Sequence, residues 1–413
     1  MKRNDVLQVS YHERLVGTLA VTADHKAAFQ YSEEWLENGF SISPFSLPLK
    51  DQVFVPNKDY FDGLFGVFGD SLPDNWGKLL LNRLLHANGQ NTDKLTVLER
   101  LAIVGKSGMG ALTYYPEREM KETQDTINLD ELAVQCQKIL NTEYSDKLDE
   151  LYWLGGTSGG ARPKIMTTID DEEWIIKFPA HVDGENAGRM EYDYSCCARQ
   201  CGISMSETRL FPSDQCDGYF GTKRFDRIMD ENGMRKVHML TVAALLELDF
   251  EQPNLDYHVL MKLTKILTRD NHEDVREMFR RMCFNVFAHN RDDHSKNFTF
   301  LYKEAEECWR LSPAYDLTYS STYYGEHTTM VDGNGRNPGE KEILAVGIVA
   351  GMEKVECTRI MSQIRDWLLS TITVLLSMST KVYRYFFHPG CHQSEPLSTL
   401  QELCRYHLNC ETT

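Results

Sequence analysis

The sequence predicts an α+β protein with two lobes, the first rich in β-strands and the second helical. Its 413 residues are enough for at least two domains or lobes. Short alternating runs of apolar residues, typical of strands, occur at 6–21 and 165–179, whereas apolar residues repeat at helical spacing from 237 onward. A polar segment at 289–297 interrupts the helical part and leads into a strand.

The overall composition is that of a soluble globular protein, with 42% hydrophobic and 25% charged residues. The N-terminus lacks the apolar core of a signal peptide and no apolar run is long enough to span a membrane, so we expect a cytoplasmic protein. The 11 cysteines lack the spacing of a disulfide framework, which fits reduced thiols. A formal net charge of −17 argues against a broad nucleic-acid surface, because phosphate binding needs clustered Lys and Arg.

One group of potential metal ligands lies near the C-terminus. It consists of Cys391, His392, Cys404, His407 and Cys410. Their spacing matches no standard zinc pattern, so we do not expect a zinc site there.

The first 117 residues are predicted to form one unit of short strands and helices. The expected elements are strands at 6–11, 15–21 and 111–115, a strand and a short helix within 29–40, and helices at 60–69, 76–87 and 95–104. The glycine-rich segment 105–110 could be taken for a phosphate loop. A strand follows it instead of the helix that such a loop requires, so a tight turn is the better interpretation.

A second glycine-rich segment, 155–164, precedes a predicted hairpin. Its four glycines, with Thr and Ser, allow backbone N–H groups to converge on an anion. The second strand of the hairpin carries Lys177 among apolar residues, and no helix follows Lys164 as in a Walker A loop. A kinase N-lobe presents its glycine-rich loop and its phosphate-binding lysine in this order. By itself, Lys177 could equally be a charge that keeps a strand edge soluble.

The residues after the hairpin supply further parts of that arrangement. Glu191 lies in a predicted helix, from which its carboxylate could pair with Lys177. Segment 218–227 has the pattern of a strand leaving its sheet, where a kinase hinge would meet adenine. The acidic stretch 116–150, with one helix at 129–140, connects the first unit to the second glycine-rich segment. We therefore predict three units, at 1–117, 118–226 and 227–413.

The polar segment 289–297 carries the most specific spacing. Asp292 and Asn297 stand five positions apart, like the catalytic Asp and the metal-binding Asn of kinases. Asp292 could accept the proton of a substrate hydroxyl. Asp316 ends a later short strand, where its carboxylate could share Mg²⁺ with Asn297, because this ion prefers oxygen ligands.

Alone, segment 289–297 could simply be the polar end of a helix. The glycine-rich hairpin and Lys177 before it, and Asp316 after it, stand in the order of a kinase, and this order favours the catalytic interpretation. Arg291 and Asp293 have no predicted role beyond supporting the loop.

Several motifs occur in one order along nearly the whole chain. They are the segment 40–49 ending in SLPL, GDSLPDNW at 69–76, GKSGMGAL at 105–112, GGARPK at 159–164, IIKFP at 175–179, KRFDR at 223–227, DDHSKNF at 292–298 and SPAYDL at 312–317. In this combination the sequence resembles the HipA-type serine/threonine kinases, the toxins of bacterial HipBA toxin–antitoxin pairs.

The resemblance implies a two-lobed fold like that of protein kinases and PI3 kinases, with Mg-ATP bound between the lobes. A HipA-type N-terminal subdomain would precede a β-rich N-lobe, and the C-lobe would be all-α. Asp292 would be the catalytic base, Asn297 and Asp316 would bind the metal, and Glu191 would pair with Lys177. The residues implied to bind ATP are Gly159, Gly160, Ala161, Arg162, Pro163, Lys164, Lys177, Lys223, Arg224, Phe225, His294, Lys296, Asn297, Tyr315 and Asp316.

The resemblance also implies partners and self-modification. Family members autophosphorylate a hydroxyl of the glycine-rich loop, which would here be Thr157 or Ser158. A HipB-like helix-turn-helix antitoxin is expected, with DNA contacted mainly through it, and a translation-related protein substrate such as an aminoacyl-tRNA synthetase. Two positions depart from the family pattern: Lys223 stands where Glu is frequent, and segment 238–244 differs enough that substrate contacts there cannot be transferred.

Three other functions are compatible with parts of the sequence. A small-molecule kinase would share the Asp–Asn spacing of the catalytic loop. A non-catalytic co-repressor partner of an antitoxin would need no active Asp292. Metal-dependent hydrolysis by the His and Asp residues is disfavoured, because the other imidazole ligands are not suitably spaced.

Overall fold

The computed structural model describes residues 5–378 except 88, 90–94, 118–127, 157–159, 181–182, 232, 253–254, 321 and 323–324. Its N-terminal unit is built on a four-stranded antiparallel sheet. The strands are β1 (Val6–Tyr11), β2 (Arg14–Val21), β3 (Ala27–Tyr31) and β4 (Leu112–Tyr115), arranged in the order β3-β2-β1-β4. The strands predicted in this region are confirmed, and their apolar residues, such as Leu7, Val9 and Leu19, are fully buried.

Between β3 and β4, the residues that the structure describes form four helices. They are α1 (Glu33–Asn38), α2 (Gly66–Gly69), α3 (Asn75–Ala87) and α4 (Val97–Val104). Thr96 and Glu99 form a capping box at the start of α4, as their spacing favours. The helix predicted at 60–69 is wrong except for its last turn. Asp62 and Gly63 adopt the left-handed φ values +54° and +84°, which end any right-handed helix before Gly66.

The second unit contains another four-stranded antiparallel sheet. Helices α5 (Leu129–Leu140) and α6 (Leu148–Gly155) precede it, and its strands are β5 (Lys164–Ile169), β6 (Glu172–Lys177), β7 (Thr208–Phe211) and β8 (Tyr219–Lys223), in the order β5-β6-β8-β7. Helix α7 (Ala187–Gln200) packs against β7 and β8. Asp170 and Asp171 turn the β5–β6 hairpin with left-handed φ values of 54° and 61°, the conformation of a type I′ turn.

The remaining residues form a mostly helical lobe. In chain order its elements are β9 (Arg227–Asp230), β10 (Gly233–Lys236), β11 (Met239–Thr241), α8 (Val242–Leu246), β12 (Leu255–Asp256), α9 (Tyr257–Leu267), α10 (His272–Phe287), β13 (Thr299–Lys303), β14 (Cys308–Leu311), β15 (Thr329–Met330), α11 (Glu340–Val349) and α12 (Lys354–Met378). The predicted α+β class and two-lobed fold agree with this arrangement. The helical lobe is not purely α, because it also contains a three-stranded sheet, β11-β13-β14, and the short pair β12–β15.

Among the described residues, the two larger hydrophobic cores cross the boundaries between the units. The larger core joins the first sheet to helices α8 to α12. The second core joins α3 of the N-terminal unit to α5, α6 and the β5–β8 sheet. Burial of apolar area is the main favourable contribution to folding, so the N-terminal unit is held by the same forces as each lobe's interior.

Close polar and backbone contacts mark the junction of the N-terminal unit with the helical lobe. A Cβ atom on Gly66 would lie 2.5 Å from the carbonyl oxygen of Ala244, so α2 and α8 touch through their backbones. The buried imidazole of His238 forms a 2.8 Å hydrogen bond through Nε2 with the carbonyl oxygen of Ile42.

Along the described chain, no helix combines the length and apolar character needed to cross a bilayer.

Candidate functional site

The centre of the cleft between the two lobes is a lysine held by two carboxylates. Strand β6 ends at Lys177, whose Nζ lies 2.5 Å from Oε1 of Glu191 on α7 and also donates to Oδ1 of Asp316. Burial by itself lowers the pKa of an ammonium group, but Asp316 and then Glu191 raise the pKa of Lys177 above its ordinary value. The Lys177–Glu191 pairing predicted from sequence is therefore present, with Asp316 as a third member.

Asp316 occupies a constrained position. Its φ of +55° is left-handed, a conformation that Asp tolerates better than most residues but that still costs free energy, about 1 kcal/mol or more. Burial acts to raise the pKa of Asp316, but the ammonium groups of Lys177 and Lys164 lower it well below the usual range. The side chain is therefore a carboxylate, and it is 40% exposed to the cleft.

Lys164 lies under the end of the glycine-rich loop. It pairs with Lys177 across the β5–β6 ladder, and its side chain is buried. Gly160 has a φ of +89°, a conformation that favours glycine, and Nζ of Lys164 lies 2.5 Å from where its Cβ atom would be. Burial and then the neighbouring Lys177 lower the pKa of Lys164 to about 8.

The predicted catalytic loop brings Asp292 and Asn297 together. The side-chain nitrogen of Asn297 donates to the backbone carbonyl of Asp292 at 2.7 Å, so the loop closes on itself over the predicted five-residue spacing. His294 lies 4.0 Å from Oδ1 of Asp292. Partial burial raises the pKa of the Asp292 carboxyl, and Asp316 and Asp293 add to this, while His294 opposes it. A raised pKa is suited to a group that must accept a proton near neutral pH.

Asp293, which has no predicted role beyond loop support, is the anchor of this loop. Its fully buried carboxylate accepts hydrogen bonds from the Tyr257 hydroxyl at 2.9 Å and the Thr329 N–H at 3.0 Å. It also lies 3.1 Å from Nδ1 of His327. These partners come from α9, β15 and the segment before β15, so no local sequence pattern could have identified the anchor.

Two backbone N–H groups of the predicted hinge already form hydrogen bonds within the protein. The backbone N–H of Lys223 donates to the backbone carbonyl of Glu207 at 2.9 Å. The backbone N–H of Arg224 donates to the backbone carbonyl of Glu173 at 2.8 Å. An adenine base at this edge would therefore have to use carbonyl groups or the backbone of Phe225. The Phe225 ring lies 5.4 Å from the ring of Tyr315, which brings the hinge and the Asp316 segment together.

The side chains of the two basic hinge residues point into ion pairs. The Lys223 ammonium contacts Glu172. Arg224 is buried and binds both oxygens of Asp226 at 2.9 Å. Asp226 also accepts the N–H of Gly110 at 2.8 Å, and Arg224 and Arg227 hold the Asp226 pKa well below its ordinary value despite burial. Any contribution of the Arg224 side chain to nucleotide binding is therefore indirect, and the 105–110 segment is a turn docked on the hinge.

The start of β5 is fixed by its neighbours. Pro163 accepts the N–H of Phe178 through its carbonyl at 2.8 Å, and Ala161 is exposed. Arg162 is paired with Asp183 at 2.9 Å. The predicted loop residues Thr157, Ser158 and Gly159 lie outside the described residues.

Asp74, which lies within the GDSLPDNW motif at 69–76, joins two of the predicted ATP-binding residues. Its Oδ2 accepts the N–H of Gly160 at 3.0 Å, and its Oδ1 accepts from the Lys296 ammonium. The Lys296 ammonium also lies over the Phe250 ring, 4.3 Å from its centroid, and the carbonyl of Lys296 accepts from the Tyr315 hydroxyl at 2.5 Å. The contact between Asp74 and Lys296 spans 222 positions, so only tertiary structure reveals it.

The two predicted metal ligands suit magnesium in chemical type. Asp316 is ionised, and Asn297 uses its amide nitrogen as a donor, so its oxygen is the atom it can offer to a cation. Magnesium often takes only one or two protein ligands and completes its shell with phosphates and water. Within the described part of the chain no group of three or more His, Cys, Asp or Glu is placed to hold a metal, and the zinc alternative at 391–410 lies outside that part.

Comparison with solved structures identifies a similar overall fold. The HipA chain of a Shewanella oneidensis complex of HipA, HipB and operator DNA superposes with a TM-score of 0.71 at 18% identity. The match covers 98% of this chain and 97% of that one, so the likeness extends to the whole architecture.

Comparisons of sequence point the same way. Two kinase-like proteins of Sinorhizobium fredii are similar to this chain: Y4dM, 25% identical over 80% of this chain and 81% of its own length, and Y4mE, 24% identical over 77% and 78%. The model of the HipA N-terminal domain matches residues 7–115, and that of the HipA-like C-terminal domain matches residues 156–372, which include Lys177, Asp292 and Asp316. Since these two matches cover both the first sheet and the complete cleft, the chain belongs to the HipA family.

Proposed function

We propose that this protein is an ATP- and magnesium-dependent serine/threonine protein kinase and the toxin of a toxin–antitoxin pair. The observation that carries the proposal is Lys177 held between Glu191 and Asp316, beside a loop that presents Asp292 and Asn297. A lysine paired with a helical Glu, an Asp at the metal and an Asp at the substrate are the parts that kinases use for phosphoryl transfer.

In the proposed reaction, the positive charges of Lys164 and Lys177 bind the phosphates of ATP, and Glu191 keeps Lys177 in place. Asp316 and Asn297 would hold magnesium, and the bound ion would supply positive charge next to the phosphates. Asp292 accepts the proton of the attacking hydroxyl as its oxygen forms a bond to the γ-phosphorus. The bond between that phosphorus and the bridging oxygen breaks, and ADP leaves with the electron pair.

The exposure of the catalytic loop favours a protein substrate over an enclosed small molecule. The Asp292 side chain is 58% exposed, so a hydroxyl on a large partner can reach it. We infer from the family that one such hydroxyl is Thr157 or Ser158 of the chain's own loop, and that the external target is a translation-related protein such as an aminoacyl-tRNA synthetase.

The proposed partner is a HipB-like antitoxin. The Shewanella HipA was solved with HipB and operator DNA, which supports a comparable assembly here. A net charge of −17 makes broad direct DNA contact unfavourable, so we infer that DNA is reached mainly through the antitoxin. Such a pairing with a DNA-bound repressor is our reason to expect the protein in the cytoplasm.

The test is transfer of label from γ-labelled ATP to protein in a cell lysate, with magnesium, using wild type and Asp292→Asn. We expect labelled Ser or Thr with wild type and a loss of about 100-fold or more with Asp292→Asn, because the proton acceptor is gone. Asp366→Asn, at an exposed position on α12, is the matched control and should leave labelling unchanged.

Three results would reject the proposal. Equal labelling by wild type and Asp292→Asn would remove Asp292 from catalysis. Label found only on small molecules would favour the alternative of a small-molecule kinase. Complete absence of labelling, together with intact antitoxin-dependent repression in both proteins, would favour the non-catalytic co-repressor.

A further inference from the structure

The start of helix α3 lies at the cleft, although α3 belongs to the N-terminal unit. Asp74 directly precedes α3 and uses its two carboxylate oxygens on different walls of the cleft: Gly160 at the end of the glycine-rich loop and Lys296 of the catalytic loop. Both Asp74 and Lys296 are largely buried, with side-chain exposures of 15% and 14%. A charge-assisted bond in such surroundings is stronger than one at the surface.

Other atoms at the start of α3 hold the same loop. The Trp76 N–H donates to the carbonyl of Gly160 at 3.2 Å, and the Trp76 indole Nε1 donates to the carbonyl of Lys164 at 3.1 Å. A Cβ atom on Gly77 would lie 2.5 Å from the carbonyl oxygen of Gly156, so α3 touches the loop on its other side as well. The residues on both sides of 157–159, Gly156 and Gly160, thus contact the start of α3.

Asp74 supplies the hydrogen-bonded carboxylate of Lys296, and Asp70 also interacts electrostatically with Lys296. Glu191 and Asp316 already share Lys177, which leaves Asp74 as the carboxylate bonded to Lys296. Without Asp74, the largely buried Lys296 ammonium would lose its hydrogen-bonded carboxylate, which is costly for a buried charge.

We propose that Asp74 is a positioning residue for phosphoryl transfer: it ties the glycine-rich loop to the catalytic loop through Gly160 and Lys296. The N-terminal unit would thereby set the spacing of the two walls that enclose the nucleotide. This inference rests on the proposed kinase function. It assigns Asp74 no contact with ATP, because its two oxygens are used by protein groups.

The test compares Asp74→Ala and Asp74→Asn with wild type and with Asp62→Asn. Asp62 forms an exposed ion pair with Lys78 of helix α3 at 3.9 Å. Asp62→Asn therefore removes an ion pair of α3 without changing a contact to the glycine-rich loop. The measurements are KM for ATP, kcat, the unfolding temperature, and hydrogen exchange of the peptide containing Gly160 without nucleotide.

We expect Asp74→Ala to raise KM for ATP or lower kcat so that kcat/KM falls about tenfold or more, the range of a lost charged hydrogen bond. Exchange in the peptide containing Gly160 should accelerate, while peptides from strands β1 and β2 exchange as in wild type. Asp74→Asn keeps a neutral acceptor for the Gly160 N–H. Its kcat/KM and its exchange at Gly160 should lie between those of wild type and Asp74→Ala. Asp62→Asn should match wild type in all four measurements.

Unchanged exchange at Gly160 and kcat/KM within twofold of wild type in Asp74→Ala would overturn the proposal. A uniform rise of exchange across β1 and β2 would also overturn it, because the role would then be general stability. If Asp74→Ala does not fold, the isosteric Asp74→Asn decides by the same criteria. Faster exchange at Gly160 alongside an inactive wild type would support the loop-holding role and reject the proposed function, so the two failures are distinguishable.

Discussion

At the scale of single residues, the lowered pKa of Lys164 leads us to predict that nucleotide binding is sensitive to alkaline pH. Its pKa is lowered to about 8, so the ammonium form is lost as pH rises through that value. We predict that KM for ATP rises several-fold between pH of about 7 and 9, because the neutral amine attracts phosphate less. Steady-state kinetics over this pH range measures KM for ATP.

The matched variant for that prediction is Lys164→Arg, which keeps its charge throughout the range. Its KM for ATP should be nearly independent of pH, even if it is higher overall. A wild-type KM that stays constant up to pH of about 9 would contradict the assignment of Lys164 to the phosphates.

His238 makes stability sensitive to acid. Burial lowers its pKa from 6.5 to about 4, with the bond to the Ile42 carbonyl opposing this, so the folded protein keeps the imidazole neutral. The unfolded chain takes up the proton near pH 6.5, and stability from His238 is therefore lost as pH falls from about 6.5 to about 4. The full effect is about 3 kcal/mol of unfolding free energy.

Denaturant unfolding at a series of pH values tests this with His238→Gln, which keeps an N–H donor but does not titrate. The variant should lose about 3 kcal/mol less than wild type over that interval. His86→Gln, at an exposed position on α3, should follow the wild-type curve. If His238→Gln also followed it, His238 would not be the source of acid sensitivity.

Among the structural elements, the loop between α10 and β13 contains two adjacent aspartates with opposite roles. Asp293 is fully buried and accepts bonds from Tyr257 and Thr329, whereas Asp292 is exposed. We predict that Asp293→Ala lowers the unfolding free energy by about 2 to 4 kcal/mol, because buried donors lose their acceptor. Asp292→Ala should change it by less than about 0.5 kcal/mol while abolishing phosphoryl transfer.

Unfolding curves and the labelling assay on the two variants separate these roles. Equal destabilisation by both substitutions would show that the loop is not organised around Asp293. Retained activity in Asp292→Ala would instead contradict its place as the proton acceptor.

The elements also show which features a sequence can reveal. Apolar spacing predicted β1, β2, α3, α5, the β5–β6 hairpin and the helical character of the chain from 237 onward, because local burial patterns determine them. The same kind of pattern led to a wrong helix prediction at 60–69. Phe61 and Leu64 pack into the core from either side of a turn in which Asp62 and Gly63 have left-handed φ values. Lys177, Asp292, Asn297 and Asp316 could be predicted because they stand in the order of a kinase along the chain, and the role of Glu191 followed from that of Lys177. The roles of Asp74 and Asp293 could not be predicted, because their partners lie far away in sequence, and the same holds for the contact of Asp226 with Gly110.

In the molecule as a whole, the N-terminal unit and the helical lobe share one core, and their backbones touch at Gly66 and Ala244. We predict a single cooperative unfolding transition for these two parts in calorimetry. Gly66→Ala should lower the temperature of that entire transition, because the added Cβ meets the Ala244 backbone.

Gly335→Ala is the control, since a Cβ atom there would make only ordinary contacts, the nearest at 3.4 Å. A separate early transition for the N-terminal unit, shifted by Gly66→Ala while the main transition stays in place, would show that the unit folds independently. The predicted boundary near residue 117 would then separate true domains, whereas the shared core favours a joint structure.

Phosphoryl transfer in the cleft, with Asp292 as the proton acceptor, can be measured on the intact protein. Wild type and Asp292→Asn, both treated with phosphatase and purified, are incubated with ATP and magnesium and weighed by mass spectrometry. We predict a gain of one phosphoryl group in wild type, located in the peptide with Thr157 and Ser158, and no gain in Asp292→Asn or when magnesium is chelated. The same gain in both proteins, or in the absence of magnesium, would show that the cleft does not work in this way.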